Sequence, residues 1–68
     1  MNLRDLRKQA GLTVKQVAER LNIAPSTFYQ YENGSRGVSV ITAYNLALIY
    51  GVGIDEVAEA IINSPKGE

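Results

Sequence analysis

Residues 13–32, TVKQVAERLNIAPSTFYQYE, constrain the fold most, because they contain the start and stop signals of two short helices joined by a tight turn. Thr13 and Gln16 have the spacing of a capping box, so a helix is predicted to begin at Val14. Asn22 tolerates the left-handed conformation that closes a helix. The apolar residues of this helix recur at helical spacing and predict one inward stripe: Val14, Val17, Ala18 and Leu21.

A second helix is predicted from Pro25 to about Glu32, since the fixed φ and missing N–H of proline suit a first helical position. Phe28 and Tyr31 are expected to pack this helix inward. Its opposite face carries uncharged side chains that can form hydrogen bonds, where glutamate and lysine would be ordinary. The residues of this face recur at i, i+3, i+4 and i+7: Ser26, Tyr29, Gln30 and Asn33. Such a stripe can read base edges.

Two more helices have recognisable caps. Asn2 can cap a first helix that ends at Gly11, and Ser39 can cap a fourth helix that ends before Gly51. The inward residues predicted for the first helix are Leu3, Leu6 and Ala10.

A fifth helix is predicted from Ile54 to about Asn63, and residues 64–68 are expected to form a flexible tail. The inward stripe of this helix is Ile54, Val57, Ala58 and Ile61. No segment alternates as a strand does, so residues 1–63 are expected to form one compact all-α domain of five helices.

The composition excludes many functions. A chain of 68 residues has room for one domain, and the absence of cysteine and histidine excludes a disulfide framework, a thiolate nucleophile, the usual zinc ligands and an imidazole base. We therefore expect no enzyme activity, no metal site and no cofactor. The start of the chain lacks the apolar region of a signal peptide and the apolar stretches are too short to span a membrane, so we expect a cytoplasmic protein without a membrane partner.

The net charge of zero conceals an uneven distribution. Residues 1–40 contain six basic and three acidic side chains, a net charge of +3, whereas residues 41–68 contain one basic and four acidic side chains, a net charge of −3. The basic half includes the two-helix motif, and this polarity can orient the molecule on a phosphate backbone. An ordinary solvated surface is the alternative explanation.

A family pattern is distributed over roughly residues 3–61, in LRDLRKQAGLTVKQVAERLNIAPSTFYQYENGSRGVS and in LALIYGVGIDEV. Its parts include the Leu-x-x-Leu-Arg opening, Ala-Gly-Leu-Thr, Leu-Asn-Ile and Glu-Asn-Gly. In these motifs the chain resembles the phage-repressor and Cro type of helix-turn-helix domain, also called the XRE family. The resemblance implies a lambda-repressor-like DNA-binding domain, in which the second helix lies over the DNA backbone and the third helix enters the major groove.

The resemblance implies base-reading positions at the start and middle of the third helix: Pro25, Ser26, Thr27 and Gln30. Pro25 departs from the family pattern, because it offers only an apolar contact, for example to a thymine methyl group. Val14 is a second departure, since the family usually has a phosphate-binding glutamine there.

Each candidate also has an ordinary interpretation. Gln30 can pair bidentately with adenine, or it can be a solvated helix residue. Ser26 and Thr27 can contact a base edge or a phosphate, or they can act as local caps. Tyr29 is expected to pack on sugar and phosphate if it is exposed, and a partly buried ring is the alternative.

Contacts to the DNA backbone are expected near the start of the second helix and the end of the third: Thr13, Lys15, Tyr29, Asn33 and Arg36. Arg36 lies on a glycine-flanked loop beside the motif, which favours a DNA contact over a free surface charge. Arg4 and Lys8 are interpreted as solvated charges, with general attraction to the backbone as the alternative.

Arg7 and Glu32 have a structural role in the resemblance. In the family an arginine at the position of Arg7 pairs with the glutamate that closes the recognition helix, and both residues are present here. The pair would connect the first helix to the third, and such buried pairs hold geometry more surely than they add stability.

The fourth helix is apolar nearly all round, which indicates that it is covered on more than one side. Family spacing assigns five of its residues to the core: Val40, Ala43, Leu46, Ala47 and Tyr50. The remaining apolar residues, together with one at the end of the fifth helix, predict a homodimer interface: Ile41, Leu48, Ile49 and Ile62.

The leading hypothesis is a regulator of transcription that binds double-stranded DNA in a sequence-specific way, as a homodimer on a partly palindromic operator. A repressor in a phage or prokaryote is the expected mode of action, and an activator that contacts polymerase is the alternative. One alternative is an antitoxin or a protein with a partner such as a toxin or an antirepressor. Another is a protein-interaction module that keeps the fold with weak or no DNA binding, which is consistent with zero net charge, Val14 and Pro25.

Overall fold

The computed structural model describes residues 1–64, which form five helices and contain no strand. The helices are α1 (Leu3–Gln9), α2 (Val14–Leu21), α3 (Pro25–Glu32), α4 (Val40–Tyr50) and α5 (Ile54–Asn63). The all-α fold predicted from the sequence is confirmed, as are the bounds of α2 to α5. None of these helices is long and apolar enough to cross a membrane.

Side-chain caps define where several helices begin. Asn2 Oδ1 accepts a hydrogen bond from the Asp5 N–H at 2.9 Å, and the Asp5 carboxylate accepts one from the Asn2 N–H at 3.0 Å. Thr13 Oγ1 accepts from the Gln16 N–H at 3.1 Å, and Gln16 Oε1 accepts from the Thr13 N–H at 2.9 Å. Ser39 caps α4 through its hydroxyl oxygen. The backbone N–H groups of the first helical turn have no acceptor within the helix, and these side chains supply one. The short helices therefore start at fixed residues.

The turn between α2 and α3 depends on Asn22. This residue ends α2 in the left-handed conformation, with φ of 59°, and it is the one non-glycine residue with positive φ in the described part of the chain. Only Ile23 and Ala24 separate it from Pro25, the first residue of α3. The turn therefore fixes the angle between the two helices with very few residues.

One core receives side chains from all five helices. α2 packs against α3 and α4, and α5 packs against α1 and α4. Phe28 of α3 is fully buried and meets the half-buried ring of Tyr31 edge-on, with ring centroids 6.3 Å apart. The largest fully buried side chains are Phe28, Leu3, Leu46, Val17 and Val57.

The structure corrects four of the predicted core residues. Ala10 and Val40 are exposed, Val40 to 82%, because they lie at helix ends, outside the region that the neighbouring helices cover. Ile54 and Ala58 are also exposed, Ile54 to 45%, since the inward face of α5 is shifted toward Ala60 relative to the one predicted. The face that packs into or against the core contains Val57, Ala60 and Ile61, with Ser64 next at helical spacing.

Ser64, which the sequence analysis placed at the start of the tail, is 9% exposed. Its hydroxyl donates to the Ala60 carbonyl at 2.8 Å and accepts from the Leu3 N–H at 3.3 Å. The packed part of the chain thus extends to Ser64, where it holds the beginning of α1 against the end of α5. The other residues predicted to form the tail, 65–68, lie outside the described residues.

Candidate nucleic-acid interface

The solvent-facing side of α3 carries the polar side chains that the sequence predicted there. Ser26, Asn33 and Tyr29 are exposed, the last to 56%, whereas Gln30 and Thr27 are half-buried. Phe28 and Glu32 occupy the opposite, buried side of the helix, and Pro25 is exposed at its first turn. The predicted base-reading positions therefore lie on one short helix whose orientation is fixed by its buried residues.

The beginning of α3 is capped by backbone alone. The Ala24 carbonyl accepts from the Thr27 N–H at 3.0 Å and from the Phe28 N–H at 3.2 Å, and no side chain caps the helix. The hydroxyl groups of Ser26 and Thr27 make no hydrogen bond within residues 1–64, so local capping does not account for them. Both hydroxyl groups remain free to contact a ligand.

Arg7 and Glu32 form the predicted ion pair between α1 and α3. Arg7 Nε donates to one Glu32 carboxylate oxygen at 2.6 Å, and Nη2 donates to the other at 3.3 Å. Arg7 Nη1 also donates to the Leu12 carbonyl at 3.1 Å, in the segment that leads into α2. The two side chains are 12% and 8% exposed, so this fork connects three parts of the fold largely out of water.

The pKa values of Arg7 and of the nearby Tyr50 are shifted by the ion pair and by burial. The hydrogen bond to Glu32 raises the pKa of Arg7 above its usual value, and burial offsets only part of this rise. Tyr50 is 8% exposed, and burial followed by the nearby charge of Glu32 raises the pKa of its hydroxyl well above the usual value. Arg7 opposes this effect without cancelling it.

Replacing Glu32 with alanine should lower the free energy of unfolding by about 3 kcal/mol, because the Arg7 guanidinium would stay largely buried without its partner. Chemical denaturation measures this loss. The exposed Glu19→Ala variant is the control and should change stability by less than about 0.5 kcal/mol.

The double variant Arg7→Met/Glu32→Leu removes both charges and should recover most of that stability. If the effects of the single variants Arg7→Met and Glu32→Leu simply added up to that of the double variant, the two residues would not be coupled.

Tyr50 gives a prediction for alkaline pH. Because its pKa is higher in the folded protein than in the unfolded chain, its contribution to stability is complete below about pH 10 and is lost at higher pH as the unfolded chain ionises. Wild type should therefore lose about 1.4 kcal/mol more than Tyr50→Phe between pH 9 and pH 11. The control is Tyr29→Phe, which changes an exposed ring on α3. Parallel pH curves for wild type and Tyr50→Phe would contradict this assignment.

The loop after α3 is folded back onto the helix. Asn33 Oδ1 accepts from the Ser35 N–H at 2.9 Å and from the Ser35 hydroxyl at 2.5 Å. Arg36 Nε donates to Gln30 Oε1 at 2.9 Å, and the Arg36 N–H donates to the Gln30 carbonyl at 3.2 Å. The sequence predicts Gln30 and Arg36 as separate DNA contacts, whereas in the structure the two side chains are hydrogen-bonded to each other.

At the start of α2, Thr13 and Lys15 are exposed, as a backbone contact requires. The Thr13 N–H and hydroxyl oxygen are both engaged with Gln16, so the hydroxyl proton is what Thr13 can still offer. Val14 is 7% exposed and belongs to the core. Its side chain is therefore turned away from the surface that would carry a phosphate contact.

A groove beside α3 is lined in part by residues that the sequence did not predict for the site. It has a volume of about 390 Å³ and is lined by Asn2, Arg4, Arg7, Tyr29, Glu32 and Asn33. Arg4 is thus placed next to two of the proposed backbone contacts. The sequence indicates this position of Arg4 through its spacing of three residues from Arg7, since residues three apart share one helix face. Within residues 1–64 no group of acidic side chains is arranged to hold a metal ion.

Comparison with known proteins decides the family. The family described as a helix-turn-helix domain matches residues 1–60 of the chain. The chain belongs to this family. Its five helices and the α2–α3 motif place it in the phage-repressor and Cro type of DNA-binding domain, as predicted.

The chain is also similar to a curated protein, the cryptic phage CTXphi transcriptional repressor RstR of Vibrio cholerae. The two are 35% identical over 54 residues, which are 79% of this chain and 49% of the relative. The helix-turn-helix chain therefore spans about half the length of this relative. No solved structure gave a significant match.

Proposed function

We propose that this helix-turn-helix domain binds double-stranded DNA in a sequence-specific way and regulates transcription, with repression as its mode of action. The observation that carries the proposal is the exposed polar face of α3, held in place by the buried Arg7–Glu32 pair. The similarity to a phage transcriptional repressor supports the same function.

In this proposal α3 enters the major groove with its first turn foremost. Ser26, Thr27 and Gln30 contact base edges, and Pro25 makes an apolar contact. Tyr29 and Asn33 then lie near the sugar–phosphate backbone at the other end of the helix. The Asn33 oxygen is already bonded to Ser35, so its amide hydrogens are the groups available to a phosphate.

The charge distribution supports the same orientation. Thr13 and Lys15 at the start of α2 face the backbone beside α3, where a helix N-terminus favours an anion. In contrast, all charged residues of α4 and α5 within the described part of the chain are acidic and exposed: Asp55, Glu56 and Glu59. Phosphate repulsion would keep α5 away from the duplex.

The protein acts as a homodimer in this proposal. Ile41, Tyr44 and Leu48 form an apolar stripe on α4 and are 75%, 56% and 65% exposed. Val40, assigned to the core from the sequence, adjoins this stripe. Isolated exposed apolar residues are common, but a continuous stripe of this kind in a small domain marks an interaction surface. A two-fold mate covers the stripe with its own copy and places two α3 helices about 10 base pairs apart on a palindromic operator.

The two other predicted interface residues, Ile62 and Ile49, differ in how far they are exposed. Ile62 of α5 is 77% exposed and lines a groove together with Val38, the loop residue just before the α4 cap. It can therefore extend the interface from the first turn of α4. Ile49 is half-buried and packs against the core, so it contributes only an edge.

A selection from random duplex DNA tests the proposed function. The wild-type domain should enrich a partly palindromic sequence. A protein-interaction module or an antitoxin that needs its partner to bind DNA would enrich nothing, and co-purification would then identify the partner.

Gln30→Ala should lower affinity for the selected operator by about 1 to 3 kcal/mol and leave binding to random DNA nearly unchanged, because a base contact is lost while phosphate contacts remain. Fluorescence anisotropy on both duplexes measures this difference. Gln9→Ala, on the exposed side of α1, is the matched control. Equal losses on operator and random DNA would remove Gln30 from the base-reading set.

Leu48→Glu should abolish dimerisation, because it buries a charge at the centre of the proposed interface. Sedimentation equilibrium at micromolar concentration should give a dimer for wild type and a monomer for the variant. Gln9→Glu adds the same charge to the exposed side of α1 and should remain dimeric. A monomeric wild type with and without operator would refute the homodimer.

A further inference from the structure

The hydrogen bond between Arg36 and Gln30 fixes the orientation of a side chain that the proposed function uses. The bond from Arg36 Nε to Gln30 Oε1 is 2.9 Å long, and the backbone bond from the Arg36 N–H to the Gln30 carbonyl, 3.2 Å long, brings the two residues together. The turn between them is stabilised by the bonds from Ser35 to Asn33 and by Gly34, which has φ of +80°. Arg36 therefore reaches Gln30 from a constrained loop.

The identity of the bonded amide atom follows from chemistry. A guanidinium group has five N–H donors and no acceptor, so the Gln30 atom that faces it must be the amide oxygen. With Oε1 engaged by Arg36, the Nε2 hydrogens of Gln30 are left for the DNA, and the second lone pair of Oε1 lies beside a cation. Arg36 keeps four further N–H donors after it has used Nε. The pair together thus presents mainly donors.

We propose that Arg36 is a positioning residue that makes Gln30 select guanine instead of adenine. A glutamine that pairs bidentately with adenine must accept from N6 and donate to N7. Beside Arg36, Oε1 would then have to accept from two N–H groups at once, and the adenine N6 amino group would lie next to a positive charge. Guanine presents two acceptors, O6 and N7, to the major groove and matches a surface of donors. This inference rests on the proposed function, because Gln30 has a base to select only if α3 reads DNA.

The same hydrogen bond gives Arg36 a role beyond the phosphate contact predicted from the sequence. A phosphate contact alone would strengthen binding to every sequence equally. A guanidinium that holds Gln30 adds a preference at one base pair, and its unused donors can still approach the phosphate or the same guanine. Arg36 is exposed, so its replacement does not disturb the core.

The test is selection from random duplex DNA with wild type, Gln30→Ala and Arg36→Met. The base pair at which Gln30→Ala loses its preference is the one that faces Gln30. At that base pair wild type should prefer guanine over adenine by roughly tenfold. Arg36→Met frees Oε1 and should shift the preference to adenine, with the rest of the selected sequence unchanged.

Lys15→Met is the control for charge, since it also removes one exposed cation from the proposed DNA-facing side. It should weaken binding to all sequences and leave the preference for guanine in place. If Arg36→Met behaves in the same way as Lys15→Met, Arg36 is a phosphate contact only and the inference is wrong. If wild type enriches no sequence, the proposed function fails and the inference fails with it.

Nuclear magnetic resonance of the free protein tests the hydrogen bond without DNA. The Arg36 Nε–H signal should exchange slowly with solvent in wild type and quickly in Gln30→Ala. The Ser35 N–H, which is held by Asn33, should exchange at the same rate in both proteins and serves as an internal control. Equal exchange of Arg36 Nε–H in both proteins would overturn the inference while leaving the proposed function intact.

Discussion

The orientation of α3 depends on the bidentate pair between Arg7 and Glu32. α1 packs mainly against α5, and α3 packs mainly against α2, so few apolar contacts join α1 to α3 directly. The guanidinium bridges this gap by holding Glu32 near the end of α3 and the Leu12 carbonyl before α2. A buried pair of this kind adds little net stability, but it favours the helix arrangement in which the two charges meet, since any other would leave a buried charge without its partner.

The fold was predictable because each helix boundary is set by residues close in sequence. The Thr13–Gln16 capping box and the left-handed Asn22 act locally, so their pattern in the sequence identified the bounds of α2. Burial was harder to predict, since it depends on what the other helices cover. Val40 has the helical spacing of a core residue, yet it lies beyond the edge of the core.

The candidate site also combines features that are predictable from the sequence with features that are not. Placing Ser26 and Tyr29 on the outside of α3 required only the helical period and the burial of Phe28. The bond from Arg36 to Gln30 depends on how the loop after α3 folds back, and helical periodicity does not describe a loop. Ser64 is a similar case, because its partner Leu3 lies at the opposite end of the chain.

The structure and the proposed function depend on one surface, the exposed face of α3, as the part of the domain that meets DNA. Amide chemical-shift changes, mapped on the domain during titration with its selected duplex, locate this surface. We expect the largest changes on residues 25–36 and on the start of α2, while α5 stays nearly unchanged. Changes confined to the exposed stripe of α4, or spread evenly over the molecule, would contradict this expectation.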